Sequence, residues 1–158
     1  MPTTAAQQAV TTTTAIRTML VLSTPSTRQI QLISYAFSLD DPPGADGVIE
    51  LLQTDVAATV SAHVAAGVQP LDPSAPPSLL ILGTANTGYT ATAEGSTTAT
   101  RVFDVVSLSS GSGESPLTYE RVWMPDERPI IAVSKFLRVR ATTPTTAVDL
   151  RCRITWDE

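Results

Sequence analysis

Apolar and polar residues alternate along two runs near the C-terminal end, Phe136-Leu-Arg-Val-Arg140 and Leu150-Arg-Cys-Arg-Ile-Thr-Trp156. Leu137 and Val139 fall on one face of the first run, with Arg138 and Arg140 on the other. Leu150, Cys152, Ile154 and Trp156 share one face of the second, opposite Arg151 and Arg153. A period of two is that of half-buried antiparallel strands. Read as neighbouring strands, the two runs place four arginines on one face, and like charges side by side on a sheet repel. That face predicts a cover, supplied either by carboxylates of this chain or by a partner surface.

The same reading extends upstream. Ile16 to Leu22 is a short apolar run that ends at Ser23-Thr24-Pro25-Ser26. Ile30 to Leu39 sets Ile33, Tyr35, Phe37 and Leu39 on one face and stops at the turn Asp40-Asp41-Pro42-Pro43-Gly44. Val48 to Gln53 is another strand. Ala57 to Ala66 fits a helix through Val60 and Val64 or a strand through Val60, Ala62 and Val64, and its β-branched content favours strand. Residues 67–98 hold Pro70, Pro73, Pro76, Pro77, Gly83, Gly88 and Gly95 and read as a long excursion without regular strands. A loop of that length serves a function or lies against a partner. Ala99 to Leu108, Leu117 to Met124 and Ile130 to Val133 are further strands, with a Ser/Gly tip at Ser109 to Ser115.

About eight strands follow, without helix-capping signals, and they predict an all-β fold. The expected architecture is an antiparallel β-sandwich, an eight-stranded jelly roll. One domain is expected over residues 15–158. It is preceded by an extended arm over residues 1–14, rich in Thr, Ala and Gln, which either stays flexible or docks on a neighbouring subunit.

Composition sharpens the picture in one respect. Charged residues make up only 16% of the 158, against a usual quarter or so, and Thr and Ala take their place. Lys135 is the sole lysine, and arginine suits multidentate protein contacts better. The net charge of -5 argues against nucleic acid as the main partner. Residues 1–120 carry three arginines against ten carboxylates, whereas residues 121–158 carry seven cations against five, so the C-terminal part is the basic one. No apolar stretch approaches the roughly 20 residues that span a bilayer, and no signal peptide is evident. A soluble chain made in a cytoplasm, without a membrane partner, is expected.

Candidate chemistry is sparse. His63 is the only histidine and Cys152 the only cysteine, so a structural zinc site is excluded on count and no internal disulfide forms. Asp40, Asp41 and Asp46 share a turn, but without the regular spacing of a calcium loop, and Asp favours turns anyway. No Gly-x-Ser-x-Gly elbow accompanies His63. The expectation is no enzyme, no catalytic residue, no metal and no cofactor. Trp123, which alternates with Arg121 and Tyr119, belongs either to the core or to an interface, because aromatic and Arg residues together mark interface centres. The candidate interface is therefore Arg138, Arg140, Arg151, Arg153 and Trp123.

Two segments carry a resemblance. One is Ile33-Ser-Tyr-Ala-Phe-Ser-Leu-Asp-Asp41, followed by Val48-Ile-Glu-Leu-Leu-Gln-Thr-Asp55 and Ala57-Ala-Thr59. The other is Lys135-Phe-Leu-Arg-Val-Arg-Ala141 with the ending Ile154-Thr-Trp-Asp-Glu158. In this order they resemble the small β-sandwich decoration, or cement, proteins of tailed-bacteriophage capsids. The resemblance covers under half the chain. It implies a structural virion protein on the capsid exterior that bridges subunits of the major capsid protein, as a homo-oligomer, with a trimer favoured. Related sandwiches occur in tails, baseplates and fibres, which keeps binding of a host surface or carbohydrate as the alternative.

Overall fold

The structure of the protein is a computed structural model that describes residues 10–11, 16–64, 67–110, 118–143 and 148–158. Most of the expected arm and most of the Ser/Gly tip, and Ala65–Ala66, lie outside the described residues. The fold is all-β and antiparallel. The described residues form β1 (Val10–Thr11), β2 (Ile16–Ser23), β3 (Ile30–Leu39), β4 (Gly47–Thr54), β5 (Thr59–Ala62), β6 (Gly88–Ala93), β7 (Thr100–Leu108), β8 (Thr118–Val122), β9 (Ile130–Ile131), β10 (Phe136–Thr142) and β11 (Asp149–Asp157).

Two sheets pack face to face. One has six strands in the order β5-β6-β2-β10-β4-β7. The other has five, β1-β11-β3-β8, with β9 also pairing with β3. Between them lies a core that includes Leu20, Leu22, Ile49, Leu51, Leu137 and Val139 from the first sheet. Leu32, Tyr35, Phe37, Leu150, Ile154 and Trp156 face them from the second. Alternation produces most of this, since successive residues of a strand turn to opposite faces except at register shifts, such as the one in β3 where Leu32 rather than Ile33 turns inward.

Three expectations are corrected. First, β10 and β11 are not neighbours. β10 lies between β2 and β4, and β11 lies between β1 and β3 in the other sheet. Their apolar rows face each other across the core, so Arg138 and Arg140 point away from Arg151 and Arg153 on opposite sides of the sandwich. Alternation fixes which face of a strand is buried, but not which strand it pairs with.

Second, the described residues form eleven strands rather than eight, divided five and six between the two sheets. Two of them, β1 and β9, have only two residues each. Third, the 67–98 excursion does contain a regular strand. Its prolines end at Pro77, and β6 (Gly88–Ala93) has all its backbone donors, so it pairs with both β2 and β5.

β6 and β7 sit on different sides of the six-stranded sheet, so the connection 94–99 crosses β2, β10 and β4. On the outer face of this sheet lies a second, smaller apolar cluster of Val21, Ala58, Val60 and Ala91, with Phe136 against it. This explains why Met19 to Leu22 is an unbroken apolar run. β2 is covered on both faces, as a continuous rather than alternating pattern implies. Gly95, at φ +70°, lets the connection lie flat, because a Cβ there would stand 2.6 Å from the carbonyl oxygen of Ala57.

Candidate protein-binding surface

The four arginines have four different environments, and three remain at the surface. Arg138 is not among those three. Its side chain is 1% exposed, beneath the 94–99 connection. Its Nη1 donates to the Glu94 carbonyl at 2.9 Å and approaches the Glu94 carboxylate at 3.3 Å, and its Nη2 donates to the Val56 carbonyl. Glu94 also accepts from the backbone N–H and hydroxyl of Thr18. Arg138 is thus a buried clasp inside the domain, and it is withdrawn as an interface residue.

Arg140 lies on the same outer face but beyond the cover. It meets Glu50 on the neighbouring β4 at 2.9 Å, with both side chains about a quarter exposed. Trp123 is 6% exposed and belongs to the core, with the Arg121 guanidinium 5.9 Å from its ring centre. Of the two environments open to Trp123, burial is the one that forms.

Arg151 and Arg153 remain together on the outer face of the five-stranded sheet. Here β3 supplies a row of small residues, Ser34, Ala36 and Ser38, between longer ones on β11 and β8. The result is a shallow groove of about 190 Å³, with Ala36 and Ser38 as its floor and Arg151, Arg153, Thr118 and Glu120 as its walls. Arg153 reaches across it to Glu120 at 2.9 Å, and Arg151 approaches Asp40 at 3.4 Å. All four of these charged groups are between about 39% and 51% exposed. Exposed pairs of this kind contribute little to stability, typically under about 1 kcal/mol. Their partners can therefore be exchanged for those of another protein at small cost.

Asp46 and Asp55 serve the fold. Asp46 accepts from the Ser110 N–H at 2.7 Å, which holds its carboxyl below the usual range. Asp55 accepts from the Thr98 hydroxyl and from the Thr98 and Ala99 N–H groups, and its pKa falls to about 2. Both bind neighbouring turns. Cys152 is fully buried, and burial pushes its thiol up to about 12. Its ring neighbours aside, His63 is enclosed, and burial lowers its pKa. Among the described residues no three His, Cys, Asp or Glu side chains gather into a metal-binding group. No described helix is long and apolar enough to cross a membrane.

Sequence reasoning paired Arg151 with Arg153 correctly and missed the groove beside them. The signal was present in the alternate small residues Ser34, Ala36 and Ser38, opposite the aromatic row of β3. It also missed the clasp, which depends on a contact between positions 44 residues apart. No family model, curated protein or solved structure matches the chain.

Proposed function

We propose that the protein is a structural virion component that decorates and stabilises a bacteriophage capsid from outside, bridging subunits of the major capsid protein. The observation that carries this reading is the outer face of the five-stranded sheet. It is broad and shallow, and its exposed arginines and carboxylates are paired only loosely. Such a face suits a protein surface better than a small molecule, which needs a deeper pocket of some 300 Å³ or more. The resemblance of residues 33–59 and 135–158 to decoration proteins points the same way. Attachment across a joint between capsid subunits favours the assembled shell by mass action. A contact of about 1,600 Å² is enough for stable attachment.

Co-sedimentation with capsids lacking the protein tests this. Saturable binding at a fixed number of copies per shell is expected. Arg151→Glu with Arg153→Glu should abolish it while leaving the melting temperature unchanged. Arg140→Glu, on the opposite face, should leave binding intact. Loss of binding from Arg140→Glu alone would move the contact to the six-stranded sheet. A protein that ignores capsids altogether would move the weight to tail or fibre attachment.

A further inference from the structure

We propose that β7 is the docking edge for a second copy of this chain, whose own β7 pairs with it antiparallel about a twofold axis between Phe103 and Asp104. β7 ends the six-stranded sheet, and among the described residues nothing pairs with its far side. It has nine residues, whereas the edge strands β5 and β8 have four and five. β7 has no proline or lysine, and its Val102 and Val105 are 48% and 53% exposed. Its two charges, Arg101 and Asp104, are of opposite sign, and a long edge with exposed valines offers its free backbone groups to another strand.

The choice of a second copy follows from the register. β7 pairs Val106 with Ile49 and Val105 with Glu50, then slips by one residue between Leu51 and Leu52. The slip inverts the alternation halfway along. Asp104 and Val106 turn inward, Val105 and Ser107 outward; beyond the slip, Arg101 turns inward, Thr100 and Val102 outward. A strand whose alternation inverts at its centre is self-complementary. Antiparallel pairing about that centre sets Thr100 against Ser107 of the second copy, Arg101 against Val106, Val102 against Val105, and Phe103 against Asp104. Every outward residue then meets an outward one, and every inward residue an inward one. The two exposed valines cover each other twice. No charge faces its own kind, and Arg101 lies diagonal to Asp104 of the second copy, within reach of a long side chain. A strand with ordinary uninterrupted alternation would not give this symmetry about a point between two residues.

Such a contact is isologous and closes a dimer. It differs from the trimer that the resemblance implies, and it stands apart from the decoration reading, because solution mass and capsid binding are separate readouts. Sedimentation equilibrium of the full chain across the micromolar range should give twice the 16.7 kDa chain mass. Val102→Lys with Val105→Lys should halve that mass while the far-ultraviolet circular dichroism stays unchanged. A second experiment does not depend on the lysine variant folding. Val102→Cys protein mixed with Val105→Cys protein should cross-link under mild oxidation, since opposed Cα atoms about 5 Å apart suit a disulfide. Either protein alone should not, because its two new cysteines stand about 10 Å apart along the strand. The native Cys152 is buried. A monomer at every concentration, a trimer, a mass that ignores the lysines in a folded variant, or equal cross-linking without mixing overturns the proposal.

Discussion

Arg138 and Glu94 are joined twice, through the Glu94 carbonyl at 2.9 Å and through its carboxylate at 3.3 Å from the same guanidinium nitrogen. A single residue of the 94–99 connection thus gives a buried arginine both an acceptor and a counter-charge. Burial lowers the pKa of Arg138, and Glu94 opposes that shift. Of the two covers open to the arginine face, a carboxylate of this chain is the one that meets Arg138, and the pair fastens a second layer.

Breaking this clasp from one side should be costly. Glu94→Ala leaves the Arg138 charge buried with carbonyl partners only, and an expected loss of about 3 kcal/mol follows from breaking one side of a buried pair. Combining it with Arg138→Met removes the stranded charge and fills much of the space. The double variant should therefore be less destabilised than the sum of the two singles. Urea denaturation of the four proteins measures this, and strict additivity would sink the clasp.

The strands were legible because they alternate. Leu150 to Trp156 forms as its period predicts, and Thr59 to Ala62 is a strand despite its helix-compatible spacing. Ile30 to Leu39 is a strand too, but a register shift at Ile33 puts Ile30 and Leu32, not Ile33, on the buried face with Tyr35, Phe37 and Leu39. Pairing was not legible. The four arginines share a residue type and a period, but nothing in residues 136–156 states that the chain changes sheets between them. β6 was hidden by composition, because prolines at 70–77 coloured a segment whose last part is free of them. The second layer over β2 did leave a trace in the unbroken run Met19 to Leu22. A run of four apolar residues is ambiguous alone, since a buried strand and a buried helical turn look alike at that length.

Gly88 marks the tightest approach between β5 and β6. A Cβ at this position would stand 1.8 Å from the Ser61 carbonyl oxygen and 3.0 Å from the Ala62 Cα. Neither backbone atom can swing aside as a flexible side chain would. Gly88→Ala should therefore push β5 off the sheet edge and cost about 1–3 kcal/mol, the range of overpacking. Hydrogen exchange should show the loss concentrated in residues 59–62, with β10 and β11 still protected. Unchanged protection of β5 would show that the strands can yield.

His63 should make stability depend on pH in a defined window. Its ring packs 5.2 Å from the Tyr89 ring, and its Nε2 has no hydrogen-bond partner among the described residues. Burial lowers its pKa from the ordinary 6.5 of a histidine, so the unfolded chain takes up the proton first. Stability from this group is full above about pH 6.5 and declines as pH falls toward the lowered folded value. Asp55 acts in a separate, more acid window. Its pKa of about 2 lies below the unfolded value, so its contribution is present above about pH 4 and is lost as pH falls toward 2. Denaturation midpoints from pH 7.5 to 5 should decline in the native chain and stay flat in His63→Leu. Equal slopes in the two proteins would mean that the imidazole is hydrated in the folded state.

Tyr35 carries a hydroxyl that no described residue hydrogen-bonds. The residue is 0% exposed in the core between the sheets, beside Phe37 and Tyr119, with ring centres 5.8 and 6.2 Å away. Tyr119, by contrast, places its hydroxyl at the rim and donates to Asp104 at 2.8 Å. The Tyr35 oxygen has no partner among the described residues, and burial raises its pKa well above the ordinary value. A buried hydroxyl without a partner costs about 1–3 kcal/mol of desolvation. Tyr35→Phe removes that oxygen, keeps the ring and its aromatic contacts, and leaves a space too small for a water. It should raise stability by about 1 kcal/mol, read as a higher urea midpoint with an unchanged slope. Tyr119→Phe should do the opposite, since it strands the 9% exposed Asp104 carboxylate with only the longer Arg121 contact at 3.6 Å. A destabilised Tyr35→Phe protein would show that the hydroxyl has a partner in solution, such as an enclosed water, and that this part of the core is wet.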